Sequence, residues 1–324
     1  MKRIVQICVM GLLLFWPLSG NLSAADIGSV VRDGLKDLDV KKGQTELCVV
    51  TDATYVRVEG RTSEPLVDLI REETGCTIGK GNLLFFHRPT DYPLKIAIFR
   101  KDTEECAVVS YDGKLIEKKK YDLGRETVAK SSFYVEENPP LSPDTFTIVS
   151  LAKAWAAGAP HDLLKCAEFH NHFCPAIVSG YMIVQYISEK YPLKDGDAYT
   201  WIACPPWCKD DAVQVLLDLT PGKKCFYATG LTKPHKEELV FENPAGILII
   251  WNEPANKGKS IVFSFDWNKV GRKDKLQMIF DLLPYTKRPE KLVSVVKECE
   301  VSHEIIERLK NADTNPYSWL GLTK

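Results

Sequence analysis

The stretch that most constrains this chain is Cys166-Ala-Glu-Phe-His170-Asn-His172-Phe-Cys174-Pro175, which leads into an apolar helical run from Ala176 to Tyr191. His170, His172 and Cys174 fall at every second position, so an extended segment projects all three side chains from one side. Pro175 has no N–H to donate and its φ suits the first turn of a helix, which places Cys174 at the helix start. There the positive end of the helix dipole favours thiolate over thiol. Two imidazoles and a thiolate suit zinc, and also iron, nickel or cobalt. Three protein ligands leave a position for water, a substrate or a fourth side chain. The plainer alternative, a buried cysteine beside two surface histidines, leaves three soft ligands in five residues as coincidence. Cys166 reads equally as a small core residue or a further ligand.

His170-Asn171-His172-Phe173-Cys174-Pro175, followed by Gly180-Tyr181, resembles the His-Gly-His-x-Cys-Pro-Gly…Gly-Tyr signature of the FmdE family. A second family element, Cys-x-x-Asp-Ala followed by Gly-Cys-Thr-x-Gly-Lys, is partly matched by Cys208-Lys-Asp-Asp211-Ala212 and Thr220-Pro-Gly222-Lys223. The resemblance runs from Leu163 to Asp266. It departs at Asn171, in place of the central glycine, at Ala176, after the proline, and at Leu219, where the family has cysteine. An earlier stretch, Asp68 and then Gly75-Cys76-Thr77-Ile78-Gly79-Lys80, is more similar to the second element than its downstream counterpart. The resemblance therefore implies an α+β fold of two tandem FmdE-like halves, each with helices on a mixed β-sheet, forming a pseudo-dimer.

The halves are complementary in what they keep. The first has Pro65 where the cysteine of Cys-x-x-Asp belongs and no mature His-x-His-x-Cys, but retains Cys76; the second retains His170, His172, Cys174 and Cys208. A family site built across the two halves would bring Cys76 to the histidines as a cofactor-binding thiolate. The equal alternative packs Cys76 in a turn of a degenerate structural half.

At the amino terminus Lys2 and Arg3 precede an apolar run from Ile4 to Leu18, and Ser23-Ala24-Ala25 offers small residues for cleavage. This predicts a secretory signal peptide over 1–25, hence a periplasmic or secreted protein with no stable membrane insertion after cleavage. The remaining divisions are 26–137 for the degenerate first half, 138–160 for a proline-rich linker and helix, 161–287 for the metal-binding half and 288–324 for a helical tail. With 42 basic and 43 acidic residues and no basic tract among aromatics, nucleic acid is not an expected partner. Cys8 leaves with the signal, and an odd count of cysteines remains. That points to metal-bound thiols, or to a host living without oxygen, rather than to a full set of disulfides.

Around the ligand cluster, Cys208 begins the helix over Asp210 to Leu217, a further thiolate-favouring position. Asp211 is placed to accept a hydrogen bond from a ligand histidine or to take a proton, and His235 to act as a mobile acid or base; a first-turn acid and a loop histidine are the plainer readings. Trp201, Trp207, Trp251 and Trp267 offer an apolar wall for a flat ligand, Trp207 first, although strand aromatics are more often core. The partner is thus a metal ion or a small metal-containing ligand, with a metallo-tetrapyrrole among the options. Three functions remain open: metal binding, metal-dependent catalysis through an open coordination position, and a structural protein with a vestigial site.

Overall fold

A computed structural model describes residues 24–114, 116–124, 144–271, 275–311 and 313–324. The first half opens with α1 (Ala24–Asp37) and runs through β1 (Leu47–Thr51), a small hairpin of β2 (Arg57–Val58) and β3 (Arg61–Thr62), and α2 (Pro65–Thr74). It continues with β4 (Leu83–Phe85), β5 (Leu94–Arg100), β6 (Glu105–Tyr111) and β7 (Ile116–Asp122). The second half contains α3 (Thr145–Ala156), α4 (His161–Phe169), α5 (Pro175–Lys190), β8 (Asp197–Ala203), α6 (Lys209–Leu217), β9 (Phe226–Ala228) and α7 (Lys233–Glu238). It closes with β10 (Pro244–Asn252), β11 (Lys257–Phe265), α8 (Lys275–Leu282), β12 (Val293–Val301), α9 (His303–Leu309) and α10 (Pro316–Trp319).

Two five-stranded mixed sheets result, with matching order. The first reads β4-β1-β5-β6-β7 and the second β9-β8-β10-β11-β12. In each, only the first pair is parallel. The repeat extends to local detail. Thr77 Oγ1 accepts from Lys80 N at 3.1 Å, and Thr220 Oγ1 from Lys223 N at 3.3 Å. Gly75 and Gly81 in one half, and Asp218 and Lys224 in the other, take left-handed backbone at corresponding positions.

Both sheets are buried on both faces, which is why their central strands read as nearly continuous apolar runs. Leu47 and Val49 of β1 meet Ile27, Val31 and Leu35 of α1 in an outer core, while Cys48 and Val50 point the other way. On the second sheet Ile202, Ile247 and Val262 face α9 and α10. The inward faces of both sheets share one central core, in which Phe99 and Val108 belong to the same cluster as Trp201, Leu248 and Phe263. α3, α4, α5 and α8 contribute to it, and α5 is buried along most of its length, accounting for its lack of a polar stripe.

Two expectations need correction. The ligand-bearing segment is not extended: His170 ends α4, and a tight turn at Asn171 leads to Cys174 at the start of α5. The tail over 288–324 is not simply helical, because Val293–Val301 forms β12 and pairs antiparallel with β11. Its near-alternation of valines with Ser294, Lys297, Glu298 and Glu300 is a strand period, and sheet pairing overrides the helical tendency of its Lys and Glu. Within that tail the helix α9 does follow Ser302, whose Oγ accepts from Ile305 N at 3.4 Å. Most of the segment expected to be a signal peptide (residues 1–23 of 1–25) and the expected linker over 138–143 lie outside the described residues.

Candidate metal centre

Two helix starts and one helix end converge on the site. The His170 N–H closes the last turn of α4 on Cys166 O at 2.9 Å. Asn171, at φ +65°, then reverses the chain, and this departure from the family glycine is conformationally conservative, because Asn is among the few residues that enter the left-handed region readily. Phe173 is fully buried and its N–H donates to Ser150 Oγ at 3.0 Å, which anchors the turn on α3. Cys174 is the N-cap of α5 and Cys208 the N-cap of α6.

The ligand atoms of His170, His172, Cys174 and Cys208 all lie within 4.8 Å of one another. His170 Nδ1 is 2.6 Å from Asp211 Oδ2, and Gln214 Nε2 donates to the other carboxylate oxygen at 3.2 Å. With Nδ1 held against a carboxylate, Nε2 is the ring nitrogen left for a metal, and it is buried without a hydrogen-bond partner. Burial pulls the His170 pKa down, but the attraction of Asp211 and of the Cys208 sulfur outweighs it and raises the value to about 9. Cys208 is held well below the ordinary thiol range, first by the neighbouring Cys174 thiol and then, against burial, by His170 and His172. Cys174 is pushed well above the ordinary thiol range by Cys208 and by burial. The metal-free site is thus a thiolate, a thiol and a protonated imidazole in contact, a set that a divalent cation would reorganise by displacing protons.

The approach of α5 to α6 depends on Gly180, since a Cβ there would sit 2.0 Å from Lys209 O. The start of α6 is fastened by Asp210, which accepts from Trp201 Nε1 at 2.8 Å, from Trp207 N at 2.7 Å and from the buried Lys209 Nζ at 2.7 Å. His172, Cys174 and Cys208 border a cleft of about 740 Å³ whose other walls include Trp207, Trp267 and Asn243. Trp207 and Trp267 pack with ring centroids 5.6 Å apart, and Trp207 remains 56% exposed. These two rings and Asn243 also border a second chamber of about 450 Å³.

The other expected residues fall elsewhere. Cys76 is buried in the outer core of the first half, with its thiol 3.8 Å from Leu47 O, so it does not join the histidines; Leu219 fills the corresponding core position in the second half. Cys166 is likewise core, donating to Asp162 O at 3.2 Å. His235 sits in the short helix α7 and does not border the cleft. Trp201 is fully buried and Trp251 packs against His303, leaving Trp207 and Trp267 as the aromatic wall. All nine cysteines among the described residues are free. Asn243 was not singled out from the sequence. Its left-handed backbone, at φ +52°, precedes a bulge between Pro244 and Gly246, and the Asn-Pro dipeptide was the available signal.

The family model described as FmdE, Molybdenum formylmethanofuran dehydrogenase operon, matches residues 169–309. Over those residues the chain is similar to the FmdE family. The match begins one residue before His170 and ends with α9, so it takes in the whole ligand set, the second sheet and Gly180. The FmdE match does not reach the first half, whose likeness to the second rests on strand order and turn geometry. None of the curated proteins matches the chain.

Proposed function

We propose that this protein binds a transition metal, zinc foremost, through His170, His172, Cys174 and Cys208. The observation that carries this reading is the buried, partnerless Nε2 of His170, oriented by Asp211 toward three other soft ligand atoms within 4.8 Å. Two imidazoles and two thiolates form a tetrahedral zinc set, and the two thiolate charges balance a divalent ion in a half-buried site. Iron, nickel and cobalt accept the same donors.

A second reading, metal-dependent catalysis or capture of a metal-containing ligand such as a metallo-tetrapyrrole, is favoured by the cleft, which gives a molecule of moderate size access to three of the four ligands. A metal bound there would supply Lewis acidity. In this reading Trp207 contributes the face on which a flat ligand lies. Asp211 orients His170 rather than serving as a free proton acceptor. The reading extends to the chain's origin and destination: the matching halves derive from a tandem duplication, and residues 1–25 direct export to the periplasm or beyond. Among the described residues no helix is long and apolar enough to cross a membrane.

The test is purification of residues 26–324 without oxygen, followed by elemental analysis and visible absorption of the intact chain and of Cys174→Ala. One stoichiometric metal, lost in the variant, is the expected result, with a colourless protein for zinc and an intense visible band for a tetrapyrrole or an iron or nickel thiolate. A metal-free protein with oxidised cysteines would overturn the reading.

A further inference from the structure

The turn that carries His170 and His172 is held by the other half of the chain. β4 is the edge strand of the first sheet. The Phe86 N–H points inward, donating to Thr51 O at 3.0 Å, so the N–H groups of Phe85 and His87 face the open edge. Both are taken up by the ligand-bearing turn. Phe85 N donates to Glu168 Oε1 at 3.2 Å and His87 N to Asn171 Oδ1 at 2.8 Å, while His87 Nε2 lies 3.0 Å from Phe169 O. These contacts bracket His170 on either side.

The second sheet supplies an internal comparison. There the Thr229 N–H points inward to Ala203 O at 2.9 Å, as that of Phe86 does to Thr51, so Ala228 and Gly230 occupy the positions of Phe85 and His87. Both are exposed, and a Cβ added at Gly230 would meet only open space. The edge that faces the ligand turn carries a clamp; its counterpart faces none among the described residues.

We propose that the first half, which lacks the ligand set itself, acts as the positioning frame of the metal centre, with the edge of β4 fixing the turn through Asn171. Asn171 is then a positioning residue. A glycine at φ +65° would satisfy the backbone equally well, but only a side chain with an acceptor oxygen can be gripped by the His87 N–H. This gives the departure from the family glycine a purpose: it ties the angle of His170 and His172 to the neighbouring sheet. The proposal rests on the metal-binding reading and adds a role for a half that contributes no ligand.

The test uses the full mature chain loaded with zinc, with transfer of zinc to a colorimetric chelator followed over time, and the same proteins loaded with cobalt(II) for their visible ligand-field bands. Asn171→Gly keeps the left-handed turn and loses the acceptor; it is expected to release zinc about tenfold faster and to shift the cobalt bands. Asn171→Asp keeps an acceptor and is expected to return both readouts to near wild type. His87→Pro, which deletes the donor N–H, should match Asn171→Gly, whereas His87→Ala, which keeps it, should lie between. Wild-type release rates and cobalt spectra in both Asn171→Gly and His87→Pro would overturn the clamp while leaving metal binding intact, even if their melting curves fell. If the wild-type chain takes up neither zinc nor cobalt, the metal reading fails and the clamp fails with it.

Discussion

His170 holds a proton in the metal-free site. Its folded pKa of about 9 lies above the ordinary 6.5, so in the metal-free protein its protonated form stabilises the fold. That contribution is full below about pH 6.5 and disappears as the pH rises through about 9. Cys208, a thiolate in the fold and a thiol in the unfolded chain, runs the other way over the same range, so denaturant midpoints of the metal-free protein should change little between pH 6.5 and 9; Asp211→Asn, which reduces the His170 contribution, should leave midpoints that rise with pH. Zinc binding should strengthen as the pH rises, because it must displace the proton on His170 and that on Cys174, Cys208 being already a thiolate. Below pH 9 binding should release about two protons, and calorimetry in buffers of different ionisation enthalpy would count them. Asp211→Asn should also weaken zinc binding by about 10- to 100-fold, read by chelator competition. At this scale the site was legible in the sequence because ligand chemistry is written in residue identity, as His170, His172, Cys174 and Cys208 show. The local conformation was less legible. Spacing of two fits a strand, and the reversal at Asn171 becomes evident only once α4 and α5 are seen packed on either side of it.

Among the elements, the crossing of α5 and α6 sets the distance between Cys174 and Cys208. Gly180→Ala would force a methyl group against Lys209 O and push the start of α6 outward. A cost of about 1–3 kcal/mol is expected from such overpacking, measured by denaturant unfolding, together with loss of bound zinc in elemental analysis. The glycine stood out in the sequence as part of a motif, while its reason lies in a contact between segments distant along the chain. Strands β5, β6, β10 and β11 are legible in the sequence as apolar runs, and Asp112-Gly113 as the hairpin turn into β7. β12 was not, because an exposed edge strand carries many charged residues and resembles an amphipathic helix until its register with β11 is known. The same limit applied to Cys76, whose motif context promised a ligand and whose environment proves to be aliphatic.

In the molecule as a whole, Arg88 joins the halves. Its guanidinium donates to Asp52 at 2.9 Å and to Asp144 at 2.8 Å, and Lys95 Nζ also reaches Asp144 at 2.7 Å. Asp144 immediately precedes α3 and Asp52 follows β1, so the network ties the first sheet to the opening helix of the second half. Arg88→Met would strand Asp52 among buried groups and should cost about 3–5 kcal/mol at pH 7. The penalty should shrink at pH 5, because burial already lifts the Asp52 pKa to about 6 and loss of the arginine removes the main force opposing that rise. Chemical denaturation at the two pH values would show it. The central core carries the same message in mechanical terms. Because the inner faces of both sheets belong to one packed cluster among the described residues, rotating one half against the other would have to break that core. Entry to the metal cleft, whose bordering residues all belong to the second half, therefore does not depend on any rearrangement between the halves.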